Sequence, residues 1–256
     1  MARYVRCNAS GVNSYARQEG DWLLELSDAP WLGGAETGTR FAAGDVQLLA
    51  PCSPRQIFAV GLNYKSHLGE RKAPKDPEIF YKPVSSLLDP ERDILIPAEA
   101  VDAHFEGELV AVIGKTLKRA SHAEAAAAVF GLTCGNDVSD RNWQRGPEKD
   151  LQWWRAKGSD TFAPLGPSIV TGLDPADRQL TTRVNGETLQ NQNTSDLLFD
   201  VPAIASWISQ WVTIQPGDLI YTGTPGNTRR LRPGDVVEVE IDGIGVLRNG
   251  VKAESR

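Results

Sequence analysis

Apolar and polar positions alternate over short distances along most of the chain, and few stretches carry a helical period. Trp22-Leu23-Leu24-Glu25-Leu26 predicts a strand, and Gly33-Gly34 and Gly44-Asp45 mark turns. The first 50 or so residues therefore form a small, strand-rich appendage, and Pro51 to Pro54 marks its boundary. The expected division is a small N-terminal domain at 1–52 and a larger domain at 53–256. The larger part opens with the apolar run Ile57-Phe58-Ala59-Val60, a short buried strand. Ile79-Phe80-Tyr81-Lys82 predicts another strand, and Leu109-Val110-Ala111-Val112-Ile113 a strongly apolar one. Asn185-Gly186 is a tight hairpin turn, and Pro216-Gly217-Asp218 and Pro233-Gly234-Asp235 are two similar turns before apolar strands. Helices are few. Asn63 is placed to cap a short one running from Tyr64, and Ser121-His122-Ala123-Glu124 is a capping box opening an alanine-rich helix that Gly131 stops. Asp200 caps a third, with Pro202 in its first turn and Ile204, Trp207, Ile208 and Trp211 on one face.

At 256 residues the chain can bury a sizeable core, and 41% hydrophobic with 23% charged residues is ordinary for a globular protein. A net charge of −6 without any Lys/Arg block argues against nucleic-acid binding. An anionic substrate would then need a local cluster of bases. Cys7, Cys52 and Cys134 are too scattered for a disulfide framework or a zinc site, and no run approaches a membrane span. The N-terminus has no apolar signal core, so a cytoplasmic protein is expected.

The chemistry concentrates between Phe105 and Thr161. On a strand, Glu106 and Glu108 project together, and Asp137, in a loop-like stretch with Gly135, Asn136 and Ser139, would complete an all-oxygen cluster. Three carboxylates facing one another repel unless a cation sits between them, and hard oxygen ligands favour magnesium, manganese or calcium. His104, beside this strand, could be a ligand, but such sites rarely need one. His67 and Glu70 lie three apart on the predicted short helix, close enough for the carboxylate to orient the imidazole as a general base. The charged, Pro-containing stretch from Arg71 to Pro77 predicts a mobile loop, a candidate lid. Arg141 and Gln144 are candidates to hold an anionic substrate, Lys82 could meet its carboxylate or be merely solvated, and Trp153 and Trp154 suggest packing. Thr222-Gly223-Thr224-Pro225-Gly226 is no phosphate loop, but it could present hydroxyl and backbone donors to a carboxylate.

Taken together, G-L-N-Y-K-S-H-L-G-E, F-E-G-E-L-V-A-V-I-G-K, N-D-V-S-D-R-N-W-Q, A-K-G-S-D-T-F-A-P-L-G-P and Y-T-G-T-P-G resemble the fumarylacetoacetate hydrolase superfamily. The resemblance runs from about Phe58 to Val251. It implies a β-rich α+β fold, a mixed β-sheet roll with few short helices, and a homodimer. It also implies that Glu106, Glu108 and Asp137 bind magnesium or manganese, with no organic cofactor. His67 with Glu70 resembles the lid dyad that activates water, Arg141, Gln144, Lys157 and Thr224 match substrate-binding positions, and Lys157 is a candidate to stabilise an oxyanion. Two departures stand out. Gly158 replaces a common aromatic after the lysine, and Asp140 brings a fourth carboxylate near the site.

The expectation is metal-dependent hydrolysis of a carbon–carbon bond in a small 2-oxo or 1,3-diketo acid of the acylpyruvate or fumarylpyruvate type. A second reading uses the same cation without water, in decarboxylation or isomerisation of a 2-oxo diacid such as oxaloacetate or a 2-oxo-hexenedioate. A third, of another class, is a catalytically silent metal-binding module.

Overall fold

A computed structural model describes residues 1–255. The N-terminal part forms β1 (Arg3–Ala9), β2 (Val12–Glu19), β3 (Trp22–Leu26), β4 (Glu36–Ala42) and β5 (Gln47–Leu49), as its alternation predicts. Then come β6 (Ile57–Gly61), the single-turn helix α1 (Lys65–Leu68), β7 (Glu78–Lys82), β8 (Leu87–Leu88) and β9 (Ile94–Ile96). The middle of the chain holds β10 (Ala103–His104), β11 (Gly107–Ile113), α2 (His122–Ala126), β12 (Val129–Asn136) and β13 (Ser139–Asp140). These lead to α3 (Arg141–Arg145), α4 (Trp154–Gly158) and β14 (Ala163–Val170). The remainder comprises β15 (Gln179–Val184), β16 (Glu187–Asn193), α5 (Val201–Ser209), β17 (Leu219–Tyr221), β18 (Val236–Ile241) and β19 (Gly245–Ala253).

With 16% of residues helical and 42% in strands, this is the β-rich α+β fold expected. Ten strands of a 12-stranded sheet follow the order β4-β3-β2-β1-β14-β12-β11-β17-β6-β7, with β5 and β8 paired to β1 and β14. A 5-stranded sheet runs β16-β15-β18-β19-β9. The N-terminal strands are hydrogen-bonded into the main sheet, since Arg3 and Tyr4 of β1 pair with Val170 and Ile169 of β14. The core fills the space between the sheets and under α2 and α5, from Leu109, Ala111 and Ile113 to Leu180, Val239 and Ile204.

Three helix predictions change. The capping box at Ser121 and Glu124 is present, but α2 ends at Ala126. Gly131 lies inside β12, where a Cβ would stand 2.7 Å from Ile169 and 2.8 Å from the Val170 carbonyl. Strand pairing overrides alanine's helix preference there. Asn63 does not cap α1; its amide donates to the carbonyls of Phe199 and Thr222 and accepts from the Phe199 N–H. In α5, Ile204 and Ile208 are buried, but the helix stops at Ser209 and Trp211 lies beyond it, 62% exposed against Trp207. No described helix is long and apolar enough to cross a membrane.

Candidate active site

Glu106 and Glu108 sit at the head of β11, either side of Gly107, whose absent side chain decides the geometry. A Cβ there would lie 2.0 Å from the Thr182 hydroxyl of β15, so only glycine lets the two sheets close at this point. Asp137 follows β12 directly; its N–H donates to the Glu106 carbonyl at 2.8 Å, and the Asn136 side chain accepts the Glu106 N–H. One carboxylate oxygen from each of Glu106, Glu108 and Asp137 lies within 4.8 Å of the others, and all three residues are buried.

Four ion pairs lace this cluster. Lys157 Nζ of α4 reaches Glu106 at 2.6 Å and Asp137 at 2.5 Å, Lys82 Nζ reaches the other Asp137 oxygen at 2.5 Å, and Arg141 of α3 reaches Glu106 at 2.6 Å. Burial opposes ionisation of Glu106, yet Lys157 and Arg141 outweigh it and hold the carboxyl well below the usual range. Burial likewise works against the Lys157 charge, but Asp137 and Glu106 raise its pKa. Glu108 is different. No described cation pairs with it, its hydrogen-bond donor is the Gly223 N–H at 2.7 Å, and burial followed by repulsion from Asp137 and Glu106 pushes its carboxyl well upward.

The cluster therefore fits a divalent metal ion. Three hard-oxygen donors converge, and one of them lacks a counter-charge in a buried setting where an uncompensated carboxylate is costly.

Glu106 and Glu108 of this cluster line a cavity of about 230 Å³, together with Gly61, Leu62, His67, Phe80, Gln144, Trp153 and Thr224. His67 Nδ1 donates to the Gly226 carbonyl. Because a carbonyl only accepts, Nε2 is left as a free acceptor. Burial holds the imidazole pKa below its usual value, leaving the neutral form dominant near pH 7. Gln144 Oε1 accepts from Arg141 at 2.7 Å, and Arg141 also donates to Thr228 at 3.0 Å. Thr224 is on the wall, but its hydroxyl donates to the Gly107 carbonyl and accepts from Gln190, so its proton is committed within the protein.

Several expected placements differ. Glu70 does not meet His67, because α1 ends after one turn at Leu68, Gly69 has φ +58°, and Glu70 is exposed. Lys82 is no substrate contact: its side chain has 0% exposure and lies behind Asp137, also bonded to the Lys157 carbonyl. Asp140 adds no fourth site carboxylate, since it caps α3 at Trp143 and accepts the Asp102 N–H. His104 hydrogen-bonds Thr228 and Asp102, apart from the cluster. Trp153 packs edge-on against Phe80, whereas Trp154 is 68% exposed. The Thr222–Gly226 loop does present a backbone donor to a carboxylate, but that carboxylate is Glu108. Gly223, with φ +100° and Asn63 2.9 Å from where a Cβ would stand, makes this possible. The sequence reading passed over Arg71 and Arg145 on the cavity rim. The i, i+4 spacing of Arg141 and Arg145 was the available signal for the second.

Comparisons with known proteins place the chain in a family. The fumarylacetoacetate hydrolase C-terminal model matches residues 56–252, and the Rv2993c-like N-terminal model matches residues 2–51. Protein Rv2993c of Mycobacterium tuberculosis is 45% identical over 232 residues, 89% of this chain and 86% of that protein. The mitochondrial oxaloacetate tautomerase FAHD2A of Bos taurus is 41% identical over 220 residues, 81% of this chain and 70% of that one. Among solved structures, 2-hydroxyhepta-2,4-diene-1,7-dioate isomerase from Mycobacterium marinum superposes with a TM-score of 0.92 at 41% identity, covering 100% of both chains. The chain belongs to the fumarylacetoacetate hydrolase superfamily.

Proposed function

We propose that this protein is a divalent-metal-dependent isomerase or tautomerase of a small 2-oxo diacid. The observation that carries the reading is the site's composition: a three-carboxylate cluster with one uncompensated member, facing a neutral imidazole across a small cavity. When bound by Glu106, Glu108 and Asp137, the cation supplies Lewis acidity towards a chelating 2-oxo carboxylate and lowers the free energy of charge on its oxygen. Arg141, pinned by Glu106, Thr228 and Gln144, offers a fixed guanidinium to the substrate carboxylate. His67 Nε2 accepts a proton from the carbon beside the 2-oxo group and returns it to the enol oxygen, so the base is regenerated. Lys157 and Lys82 fix the Glu106 and Asp137 side chains in place through ion pairs. The bovine relative named as an oxaloacetate tautomerase and the mycobacterial isomerase support this class of reaction.

Hydrolytic carbon–carbon cleavage of an acylpyruvate or fumarylpyruvate is the second reading, favoured by the same free Nε2, which could equally activate water. In either reading the Gly226 carbonyl, and not the exposed Glu70, orients the ring.

The test is to strip the protein with EDTA and restore magnesium or manganese. Enol–keto exchange and decarboxylation of oxaloacetate and cleavage of acetylpyruvate are then followed for wild type and His67→Ala. Metal-dependent exchange without carbon loss, reduced at least about 100-fold in the variant, is the expected result. Acetylpyruvate cleavage abolished in the variant would replace the proposal with a hydrolase. Decarboxylation surviving the substitution would replace it with a lyase, and tight metal binding without any turnover would leave a binding module.

A further inference from the structure

The cavity rim carries two guanidinium groups with no acidic partner. Arg145 lies one helical turn beyond Arg141 on α3, so both project from one face towards the same cavity. Arg141 is ion-paired with Glu106 and hydrogen-bonded to Thr228 and Gln144, whereas Arg145 is exposed and makes no hydrogen bond or ion pair among the described residues. Arg71 lines the cavity too. Its guanidinium donates to the carbonyls of Leu68 at 3.1 Å and His67 at 2.8 Å, which fixes it against the end of α1 without neutralising it. Partial burial and then repulsion from Arg141 and Arg71 lower the Arg145 pKa, a sign that the three guanidiniums sense one another.

The cations at the cavity floor are matched by carboxylates; these two are not, in a chain of net charge −6. Like charges gathered at one mouth repel, and an anion between them would relieve that repulsion.

We infer that Arg145 and Arg71 form a distal anion subsite that takes the second carboxylate of the substrate and selects 2-oxo dicarboxylates over 2-oxo monocarboxylates. The inference rests on the 2-oxo acid chemistry proposed for the floor and adds the residues that set its specificity. The 230 Å³ cavity limits the ligand to a short chain, which keeps the second carboxylate close to the rim.

Oxaloacetate and 2-oxobutanoate test it, because a methyl group replaces the distal carboxylate in the second. Their binding to the magnesium-loaded protein is measured by calorimetry for wild type, Arg145→Gln, Arg145→Lys and Arg71→Gln. Wild type should bind oxaloacetate at least about tenfold more tightly than 2-oxobutanoate. Arg145→Gln should lose roughly tenfold for oxaloacetate, the lower end for a charge-assisted contact because the side chain is exposed. The loss for 2-oxobutanoate should stay below about threefold, and Arg145→Lys should restore part of the discrimination. Arg71→Gln should lower oxaloacetate affinity in the same sense. Equal affinity for the two acids in wild type, or equal losses for both in Arg145→Gln, would overturn the subsite. The two layers fail separately: a preserved affinity ratio without turnover sinks the floor chemistry and keeps the subsite, and turnover without the ratio does the reverse.

Discussion

At Glu108, binding and folding make opposite demands. The carboxyl is buried beside two others and is held well above its usual pKa, with the Gly223 N–H as its hydrogen-bond donor. Replacing it by Gln keeps an oxygen for that N–H and removes the repulsion, but it also removes a ligand. Glu108→Gln should therefore melt at the same temperature as the metal-free wild type or a few degrees above it. Adding manganese at about 100 times its Kd should raise the wild-type Tm by roughly 5–10 °C, from about 2.7 kcal/mol of linkage, and should leave the variant unmoved. Thermal melts with and without metal check this, and a wild type indifferent to manganese would remove the metal from the site. The pairing of Glu106 with Glu108 was legible because a strand's period of two fixes which residues share a face. Glu70, Lys82 and Asp140 were misplaced for the opposite reason. Whether a charged side chain meets solvent, a cap or a neighbouring ligand depends on elements distant in sequence: Lys82 is 55 residues from the Asp137 it neutralises.

Among the elements, turns and strands were the readable part, because their signals are local. The two Pro-Gly-Asp turns share one mechanism: Asp218 accepts the Gln215 N–H at 2.8 Å, and Asp235 accepts the Arg232 N–H at 2.9 Å. Helices were harder, since α1, α2, α3 and α4 span only four or five residues and are held by their surroundings more than by propensity. Asp235 also accepts from Asn185 at 2.8 Å and Arg229 at 3.2 Å, tying the Asn185-Gly186 hairpin to the start of β18. Burial opposes its charge, but these donors prevail and hold the carboxyl below its ordinary 3.8. The folded-state pKa is depressed, so the stabilisation is present above pH 3.8 and is lost as pH falls through the folded value. Asp235→Asn turns one acceptor into a donor facing another donor and should cost about 1–2 kcal/mol at pH 7. Urea titrations should show that gap close as the pH drops below 3.8. A gap that stays constant with pH would mean that the charge contributes nothing.

Across the whole molecule, the pairing of β1 with β14 makes the N-terminal strands an extension of the main sheet, which a boundary read from Pro51 to Pro54 could not reveal. The candidate cavity lies beside the Gly107–Thr182 contact, where β11 of the large sheet meets β15 of the small one. Electrostatics at this scale sets two fields against each other. The chain carries −6 overall, which would repel the anionic substrate proposed above, while Arg71 and Arg145 line the mouth and would attract it. Distance decides which prevails. The Debye length is about 10 Å at 0.1 M salt, so charges spread over the surface are already screened from the cavity, whereas groups lining it act at contact range. The value of kcat/KM for oxaloacetate should therefore fall roughly three- to tenfold as ionic strength rises from about 0.02 to 0.5 M. The fall should be shallower for 2-oxobutanoate, which presents one carboxylate to the same field. Initial rates at constant pH and metal concentration measure both slopes, and a kcat/KM that rises with salt would show that the global negative charge governs substrate capture.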